Sequence, residues 1–399
     1  AVLIYAHAVG VRSSREIERL CRRDVAFRVL ATNLAPDHAT IARFLTRHRD
    51  ALSGLFVQAL RLCHEAGMVR LGEIAIDGTR IAANASINRG YTEAALGHQV
   101  AEAEAALAAG VAELLDEHAA TDVAEDALFG PGQRGDELPP DLRGRGERLT
   151  RLRAARDRLA ADRQRVAQAH EAKKQAWQAR KDAGRSPGRK PADAPPPTSV
   201  AARGKPPRAN TTDPDCRLMR FGAALLPGYN AQAAVTDTQV IIGHTLTENS
   251  SDQHQLHDVL DATRTQLARA GIDPTLSTVL ADSGYATEET FARGEDAGLH
   301  VLAPIPRGRP KAGEEEAAPR DLTRYPATAR AQAKLATPQG QWHYAQRGQT
   351  VEPVFGQIKD RQRLRQFTRR GLTNADAEWA LACTVHNIRK LHKHRKATG

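Results

Sequence analysis

GEIAIDGTRIAANAS, residues 72–86, has the pattern of a buried β-strand that carries a carboxylate. Residues 74–76 form a short apolar run that ends at Asp77-Gly78, and the apolar pattern resumes at Ile81. Because an Asp-Gly pair is ordinary turn chemistry, the stretch leaves two interpretations of Asp77 open. It is either a turn residue or an acid that a strand carries into an active site.

The elements that follow this strand indicate the fold class. In chain order they are a β-hairpin over 228–249 that turns at 236–238, a helix over 254–270, a strand over 276–281, a helix over 288–297, a strand over 299–303, a charged irregular segment over 306–340, and helices over about 353–368 and 374–395. This order predicts an α/β fold, namely an RNase H-like mixed sheet flanked by helices.

Composition and periodicity divide the chain into segments. They predict a helical domain over 1–70, which is a candidate DNA-binding domain, an RNase H-like domain over 71–90 and 209–399 to which we assign the candidate catalytic acids discussed below, a helical-hairpin insertion over 91–183, and a Pro-rich basic linker over 184–208. In the insertion, two helical stretches flank a Gly- and Pro-rich break at 130–140, and Leu152, Leu159 and Val166 recur every seven residues. The hairpin is either a mechanical spacer or dimer strut, or a DNA contact.

The N-terminal segment has the signals of short helices. Ser13 or Ser14 is expected to start a helix that runs through Leu30, Pro36-Asp37 opens a second helix, and residues 50–66 form a third. Basic residues at 43, 47 and 49 lie near the end of the second helix. This arrangement fits a helix-turn-helix-like DNA reader and equally a plain helical bundle with a basic surface.

The net charge and the composition of the chain indicate which class of partner it binds. The 399 residues carry a formal net charge of +10, which favours a polyanionic partner such as nucleic acid. The four cysteines lie far apart and form no metal-ligand or disulfide pattern, and the apolar N-terminal run is too short to span a bilayer. We therefore expect a protein of a reducing cytoplasm with no membrane partner.

Two further acids occupy positions comparable to that of Asp77. Asp282 ends the strand over 276–281, and Glu352 starts a helix at Pro353. In open α/β sheets the ligand site lies in the crevice outside the strand ends, so the three acids are expected to meet there. Converging carboxylates repel one another, and divalent ions with oxygen ligands relieve that repulsion, so two Mg²⁺ ions are the expected cofactors, with Mn²⁺ as a substitute.

The helix that starts at Pro353 adds a cation to this prediction. Glu352 and Lys359 are seven residues apart and therefore project from the same side of the helix, at the edge of its apolar stripe. Lys359 is expected either to contact a phosphate near the metal site or to be a surface lysine. Asp213 and Asp215 are rival acids, but no strand leads into TTDPD, which we interpret as a supporting turn.

Four stretches together resemble the DDE transposases of bacterial insertion sequences, in particular the branch with a Tyr-Arg-Glu-Lys signature. They are IAIDGTRIAANAS at the first acid, TVLADSGYAT at the second, YAQRGQTVEPVFGQIK at the third, and GYNAQAAV between the first two, preceded by TTDPDCRLM. One spacing departs from the family pattern. Four residues separate Arg347 from Glu352 where the signature has three, whereas the six residues between Glu352 and Lys359 agree with it.

The resemblance implies an enzyme that uses Mg²⁺ to cleave phosphodiesters at transposon ends and to join the freed 3′-hydroxyl to target DNA. It implies that Asp77, Asp282 and Glu352 are catalytic metal ligands, and that Tyr344, Arg347 and Lys359 position DNA. The implied partner is double-stranded DNA, both terminal inverted repeats and target, bound by a homo-oligomer in the bacterial cytoplasm and nucleoid. The alternatives are a stand-alone RNase H-like nuclease and a non-catalytic or inactivated DNA-binding remnant of a transposase.

Overall fold

The computed structural model describes residues 1–129, 140–184, 190–193, 207–306 and 321–398, without the side chains of 114–129 and 140–143. Contacts divide the chain into two compact units. The first unit is Ala1–Asn84 with Met219–Gly399, and the second unit is Ala85–Leu218. The break expected at 130–140 and most of the linker expected at 184–208 lie outside the described residues.

The strands of the described residues are numbered in chain order. They are β1 (Glu73–Ala82), β2 (Gly90–Thr92), β3 (Arg208–Asn210), β4 (Arg217–Phe221), β5 (Ala224–Thr236), β6 (Ile241–Thr247), β7 (Thr278–Leu280) and β8 (His300–Leu302). The main sheet has the order β4-β5-β1-β7-β8, and β6 also pairs with β5. Because β5 is antiparallel to β1 while β7 is parallel to it, the sheet is mixed and compatible with an RNase H-like core.

The helices are numbered in the same way. They are α1 (Val2–Ala8), α2 (Ser14–Arg23), α3 (Val25–Leu30), α4 (His38–Arg47), α5 (Arg49–Glu65), α6 (Glu93–Phe129), α7 (Pro140–Asp182), α8 (Gln255–Arg269), α9 (Glu288–Asp296), α10 (Pro326–Ala336), α11 (Pro338–Ala345), α12 (Arg347–Thr350), α13 (Glu352–Asp360) and α14 (Leu372–Thr398). Within the ranges that the structure describes, none of them is both long and apolar enough to cross a membrane.

The N-terminal region is mostly helical, with one break that the sequence prediction missed. The helix expected to run through Leu30 stops before Asp24, whose backbone is extended and whose Oδ1 accepts a hydrogen bond from Phe27 N at 3.1 Å. Asp24 therefore caps a separate helix, α3. Asp37 caps α4 in the same way, since its Oδ1 accepts from Thr40 N at 2.9 Å.

Long-range contacts attach these helices to the sheet. Leu52 on α5 packs in one buried cluster with Leu381 and Val385 on α14. Glu378, also on α14, is buried and forms an ion pair with Arg12 of the connection between α1 and α2. The carboxylate of Glu378 also accepts backbone hydrogen bonds from the loop before α14. The N-terminal helices therefore pack on α14, within the same compact unit as the main sheet.

The strand β1 runs straight through Asp77-Gly78, where the sequence pattern predicted that the apolar run would end. Asp77 pairs with Ala233 and Gly78 with Gln232, so pairing with β5 continues to Ala82. Because side chains alternate along a strand, Asp77 projects to one face and Gly78 to the other. The Asp-Gly pair is part of a strand here because its antiparallel partner supplies the hydrogen bonds that a turn would otherwise supply.

One strand-helix contact in the sheet unit depends on a glycine. Helix α8 packs on β6 at Gly243, where a Cβ atom would lie 1.9 Å from Oγ1 of Thr263 and 2.7 Å from its Cα. Only a residue without a side chain allows this approach.

The turn predicted at 236–238 connects β5 and β6, as expected for the hairpin.

Two predictions for the C-terminal part are wrong. Part of the segment expected to be irregular over 306–340 forms α10 and the beginning of α11, while 307–320 lie outside the described residues. Helix α13 ends at Asp360 instead of near 368, because the chain turns at Arg363, which has a φ of +55°. After Arg363 the chain runs beside the end of β1, where Phe367 N donates a hydrogen bond to Ala82 O at 2.8 Å.

The second unit contains two long helices that run antiparallel. Two ion pairs show this antiparallel orientation, because Arg163 pairs with Glu93 and Arg153 pairs with Glu104. The partner's number rises along α6 while it falls along α7. The contact is apolar and includes, as buried members, Leu96, Val100, Leu149, Leu152, Ala155 and Leu159. Leu152 and Leu159 of the seven-residue series therefore mark the side of α7 that packs on α6, whereas Val166 is only partly buried.

Candidate active site

The site lies where β1 and β7 separate. The two parallel strands pair from Glu73 with Thr278 to Ala75 with Leu280 and no further. Asp77 and Asp282 each lie two residues beyond this last pair. The backbone edge of β1 is paired again only near Ala82, by the segment after α13. The gap between these two pairings brings the first two predicted acids to one place in the sheet.

Asp77 is mostly buried in this gap, with 16% of its side chain exposed. Its Oδ1 accepts a hydrogen bond from Gly78 N at 2.8 Å, and its Oδ2 accepts one from Nη2 of Arg347 at 2.7 Å. Burial raises the pKa of Asp77 to about 6, against the lowering effect of Arg347 and Gly78 N, and the charges of Asp282 and Asp252 raise it further. The pKa of Asp77 therefore lies close to neutral pH.

Arg347 connects the first acid to the third. While Nη2 binds Asp77, Nη1 lies 3.6 Å from Oε1 of Glu352. The side chain of Arg347 is 13% exposed, whereas that of Glu352 is 64% exposed. The unusual four-residue spacing between them is accommodated by the short helix α12, which begins at Arg347 and is followed by Glu352 at the start of α13.

Tyr344 and Lys359 flank the three acids. Burial raises the pKa of Tyr344, Arg347 lowers it, and the charges of Asp282, Asp77 and Glu352 raise it further, which places this phenol beside the site. Burial lowers the pKa of Lys359, helped by the positive charges of neighbouring arginines. Helix α11, which carries Tyr344, is held to the start of β1 by a hydrogen bond between His343 and Glu73. The structure thus brings all six predicted site residues to one region.

The chemistry of the donor set suits a hard divalent cation, because it consists of carboxylate oxygens around a buried strand edge. The arrangement of these side chains fits a metal ion less well than their chemistry does. Across the part of the chain that the structure describes, no three His, Cys, Asp or Glu side chains are arranged to hold a metal ion. Oδ2 of Asp77 is bound to Arg347, and Glu352 reaches the site only through the same guanidinium. The acids therefore fit a metal by type, and Arg347 occupies the space between two of them.

The sequence prediction missed Asp252, which lies between β6 and α8. Its charge raises the pKa of Asp77, so it belongs to the surroundings of the site. A signal was present in GYNAQAAV, where Asn230 and Gln232 interrupt an otherwise apolar strand and are almost fully buried. Buried amides two residues apart on one face indicate a polar partner. The partner itself could not be identified without the fold.

The rival acids Asp213 and Asp215 belong to the second unit. Asp213 is fully buried, and a turn at residues 214–215 leads into β4. TTDPD contains this turn, but the expectation that no strand leads into it is wrong, because β3 (Arg208–Asn210) ends directly before Thr211. Its proposed support of the site stays a prediction.

Two family models match the chain. Residues 313–392 match a Transposase DDE domain, and residues 1–47 match a Transposase domain (DUF772). The first match contains Tyr344, Arg347, Glu352 and Lys359. The resemblance to DDE transposases is confirmed, whereas the Tyr-Arg-Glu-Lys branch stays a prediction. No match was found among curated proteins or among solved structures. The transposase match in the C-terminal part covers the third acid, while Asp77 and Asp282 lie outside both matched segments.

Proposed function

We propose that the protein is a DNA transposase that cleaves phosphodiesters at the ends of an insertion sequence and joins the freed 3′-hydroxyl to target DNA. One observation carries the proposal. Arg347, which lies within the Transposase DDE match, donates a hydrogen bond to Asp77 at the gap beside β1 and lies 3.6 Å from Glu352, although the chain separates Asp77 from Arg347 by 270 residues. Folding thus brings the matched C-terminal part to the first predicted acid.

Asp77, Asp282 and Glu352 are the residues that would hold two Mg²⁺ or Mn²⁺ ions. Such ions would supply activation of an attacking oxygen and stabilisation of the leaving oxygen of a phosphodiester. Carboxylate oxygens are the ligands that these ions prefer.

Arg347 has two uses in this mechanism. In the structure its guanidinium lowers the pKa of Asp77 and so keeps more of the carboxylate ionised than burial alone would allow. Released from Asp77, the same guanidinium can donate two parallel hydrogen bonds to a DNA phosphate. Arg347 would therefore hold the first acid before DNA binds and position DNA afterwards, the role that the resemblance implies for it.

Lys359 and Tyr344 serve the same DNA strand. Burial lowers the pKa of Lys359, and the positive charges of Arg365 and Arg80 lower it further, so an incoming phosphate would offset a repulsion that already exists. The phenol of Tyr344 lies near all three acids and can donate a hydrogen bond to a phosphate oxygen. Lys359 lies on α13, the helix that begins at Glu352. Tyr344 lies on α11, which directly precedes the helix that begins at Arg347.

The N-terminal helices and the net charge support DNA binding outside the active site. The chain carries a charge of +10, and Arg43 and Arg47 on α4 and Arg49 at the start of α5 are exposed. We assign these basic residues to phosphate contacts with the terminal repeats of the element. We also propose that two ends are paired by a homo-oligomer on DNA in the nucleoid.

The test uses labelled duplexes that carry the inverted repeats flanking the coding sequence, with supercoiled plasmid as target and Mg²⁺ present. Wild-type protein is expected to nick the repeat ends and to produce joined plasmid products. Asp77→Ala and Asp282→Ala should each reduce cleavage at least about 1,000-fold, because each removes a metal ligand. Asp261→Ala, an exposed acid on α8, is the matched control and should retain full cleavage.

The products distinguish the alternatives. Cleavage without joined plasmid would indicate a stand-alone nuclease. Salt-sensitive duplex binding without cleavage would indicate a DNA-binding remnant. Undiminished cleavage by Asp77→Ala or Asp282→Ala would refute the assignment of the active site.

A further inference from the structure

A cleft with a cationic and aromatic lining lies at the C-terminal end of α7, in the second unit. Its volume of about 540 Å³ is within the range of about 300–1,000 Å³ that small-ligand sites occupy. Lys173, Trp177 and Arg180 line it from the helix, and Lys190 and Pro191 line it from the segment over 190–193, which lies against the helix. Among the described residues that line the cleft, three are cations and none is an acid.

The helix side of the cleft is one face of α7. Lys173, Trp177 and Arg180 are spaced by four and three residues, so their side chains project in one direction. The ring of Trp177 is half-buried, while the two cations are exposed. Nζ of Lys181 lies 5.6 Å from the centroid of the indole ring, and this cation–π contact places a further positive charge beside it. Cations therefore surround the indole.

Two side chains of α7 hold the other wall of the cleft in place. Nε2 of His170, which is buried, donates a hydrogen bond to Ala192 O at 2.8 Å, and Nζ of Lys174 donates one to Asp193 O at 2.9 Å. His170 and Lys174 are one helical turn apart, so both bonds hold the segment along the same side of the helix. The cleft is therefore built by contacts between two segments of the chain and is more than a groove on one helix.

Carboxylates compensate little of the positive charge in the cleft. Within the part of the chain that the structure describes, neither Lys173 nor Arg180 has an acidic partner. Nζ of Lys190 lies 3.9 Å from Oδ1 of Asp193, but both side chains are mostly exposed, and such ion pairs contribute little. Arginines nearer the start of α7 are, by contrast, paired with acids of α6. The cleft therefore favours a ligand that carries negative charge.

An unpaired nucleotide fits both parts of this lining. Its base has a flat face that stacks on an indole ring, and its phosphate is an anion that lysine and arginine bind. In a duplex the faces of each base are covered by the neighbouring bases, so stacking on a protein ring requires an unpaired base. An acidic peptide would engage the cations but leave the ring face without a stacking partner.

We propose that the cleft binds an unpaired nucleotide of a DNA strand, whose base stacks on Trp177 while Lys173, Arg180 and Lys190 contact its phosphates. The choice of DNA as the source of the nucleotide rests on the proposed function. Every residue of the cleft belongs to the second unit, whereas the residues assigned to cleavage belong to the first. The helical hairpin is then a DNA contact, one of the two uses that its sequence left open.

The test compares two labelled strands of equal length, a thymine oligonucleotide and a strand of abasic sites, by fluorescence anisotropy with the full chain in EDTA. Both strands carry the same phosphates, but only the first has bases. Wild type should bind the thymine strand about 5- to 150-fold more tightly, the effect of stacking one base. Trp177→Ala should lose this preference, and Trp177→Phe, which retains a flat ring, should keep most of it.

A second pair of variants tests the cations. Arg180→Ala should weaken the binding of both strands and reduce the slope of log K against log salt concentration by about 0.7, the value for one phosphate contact with a single strand. Arg151→Ala removes the same charge from the same helix, but Arg151 lies outside the cleft and pairs with Glu147, so this matched control should change neither quantity. Circular dichroism of each variant reports whether the helices are retained.

The outcomes separate this inference from the proposed function. Equal binding of the two strands by wild type, or an unchanged preference in Trp177→Ala protein that retains its helices, overturns the inference. If thymidine monophosphate competes as well as the thymine strand, nucleotide for nucleotide, the cleft is a site for free nucleotides and the assignment to DNA is also overturned. Failure of the proposed function appears elsewhere, as undiminished cleavage by Asp77→Ala, because Asp77 is not part of the cleft.

Discussion

Replacing Asp77 with Asn should stabilise the protein at pH 8 although it removes the first catalytic acid. Burial raises the pKa of Asp77 from its ordinary value of 3.8 to about 6 even with Arg347 beside it. Folding therefore disfavours the ionised carboxylate. A shift of this size corresponds to about 3 kcal/mol, at about 1.4 kcal/mol for each pKa unit.

The sign of the pH dependence follows from proton binding. Between pH 3.8 and about 6 the folded protein holds a proton on Asp77 that the unfolded chain has lost. The free energy of unfolding contributed by this group therefore falls as the pH rises through that window, and the cost is complete above it. Asn is neutral at every pH. The difference in unfolding free energy between Asp77→Asn and wild type should grow from near zero at pH 4 to about 3 kcal/mol at pH 8.

Urea unfolding in EDTA, followed by tryptophan fluorescence, measures this difference. Trp379 is fully buried in the same unit and donates its indole N–H to Gln232 O, so its emission reports the unfolding of the sheet. Asp261→Asn controls for the substitution itself and should change the unfolding free energy by less than about 0.5 kcal/mol at pH 8. Added Mg²⁺ should stabilise wild type and not Asp77→Asn, since only the folded acid site binds it. Equal differences at pH 4 and pH 8 would refute the reasoning.

Two further predictions concern stability. Gly243→Ala places a Cβ atom 1.9 Å from Oγ1 of Thr263 and should lower the free energy of unfolding by about 1–3 kcal/mol, measured by the urea midpoint, because α8 must move off β6. Gly97→Ala, a helical position with open space around it, should be neutral or stabilising, and equal effects at both glycines would contradict the packing argument. Glu378→Gln leaves the guanidinium of Arg12 buried without its partner and should cost about 3–5 kcal/mol in a thermal or urea melt. A loss below about 1 kcal/mol would mean that water compensates the buried Arg12 charge.

Local pattern identified much of the fold but not its breaks. The apolar run before Asp77 marks β1, and the paired runs around 236–238 mark β5 and β6, because alternation and turn residues act over a few positions. The stop of α13 at Asp360 was missed, since it depends on Phe367 pairing with Ala82, far away in the chain. The separate helix α3 was missed for a different reason: Asp24 is a local cap that the apolar spacing concealed.

For the site, the sequence by itself determined which residue types were available: one acid after an apolar run, one after a strand and one at a helix start, with Tyr344, Arg347 and Lys359 around the third. Only the tertiary structure decided their partners. The contact of Arg347 with Asp77 joins positions 270 residues apart. Local sequence fixes backbone conformation over a few residues, whereas burial and charge at a site depend on which distant segments pack together.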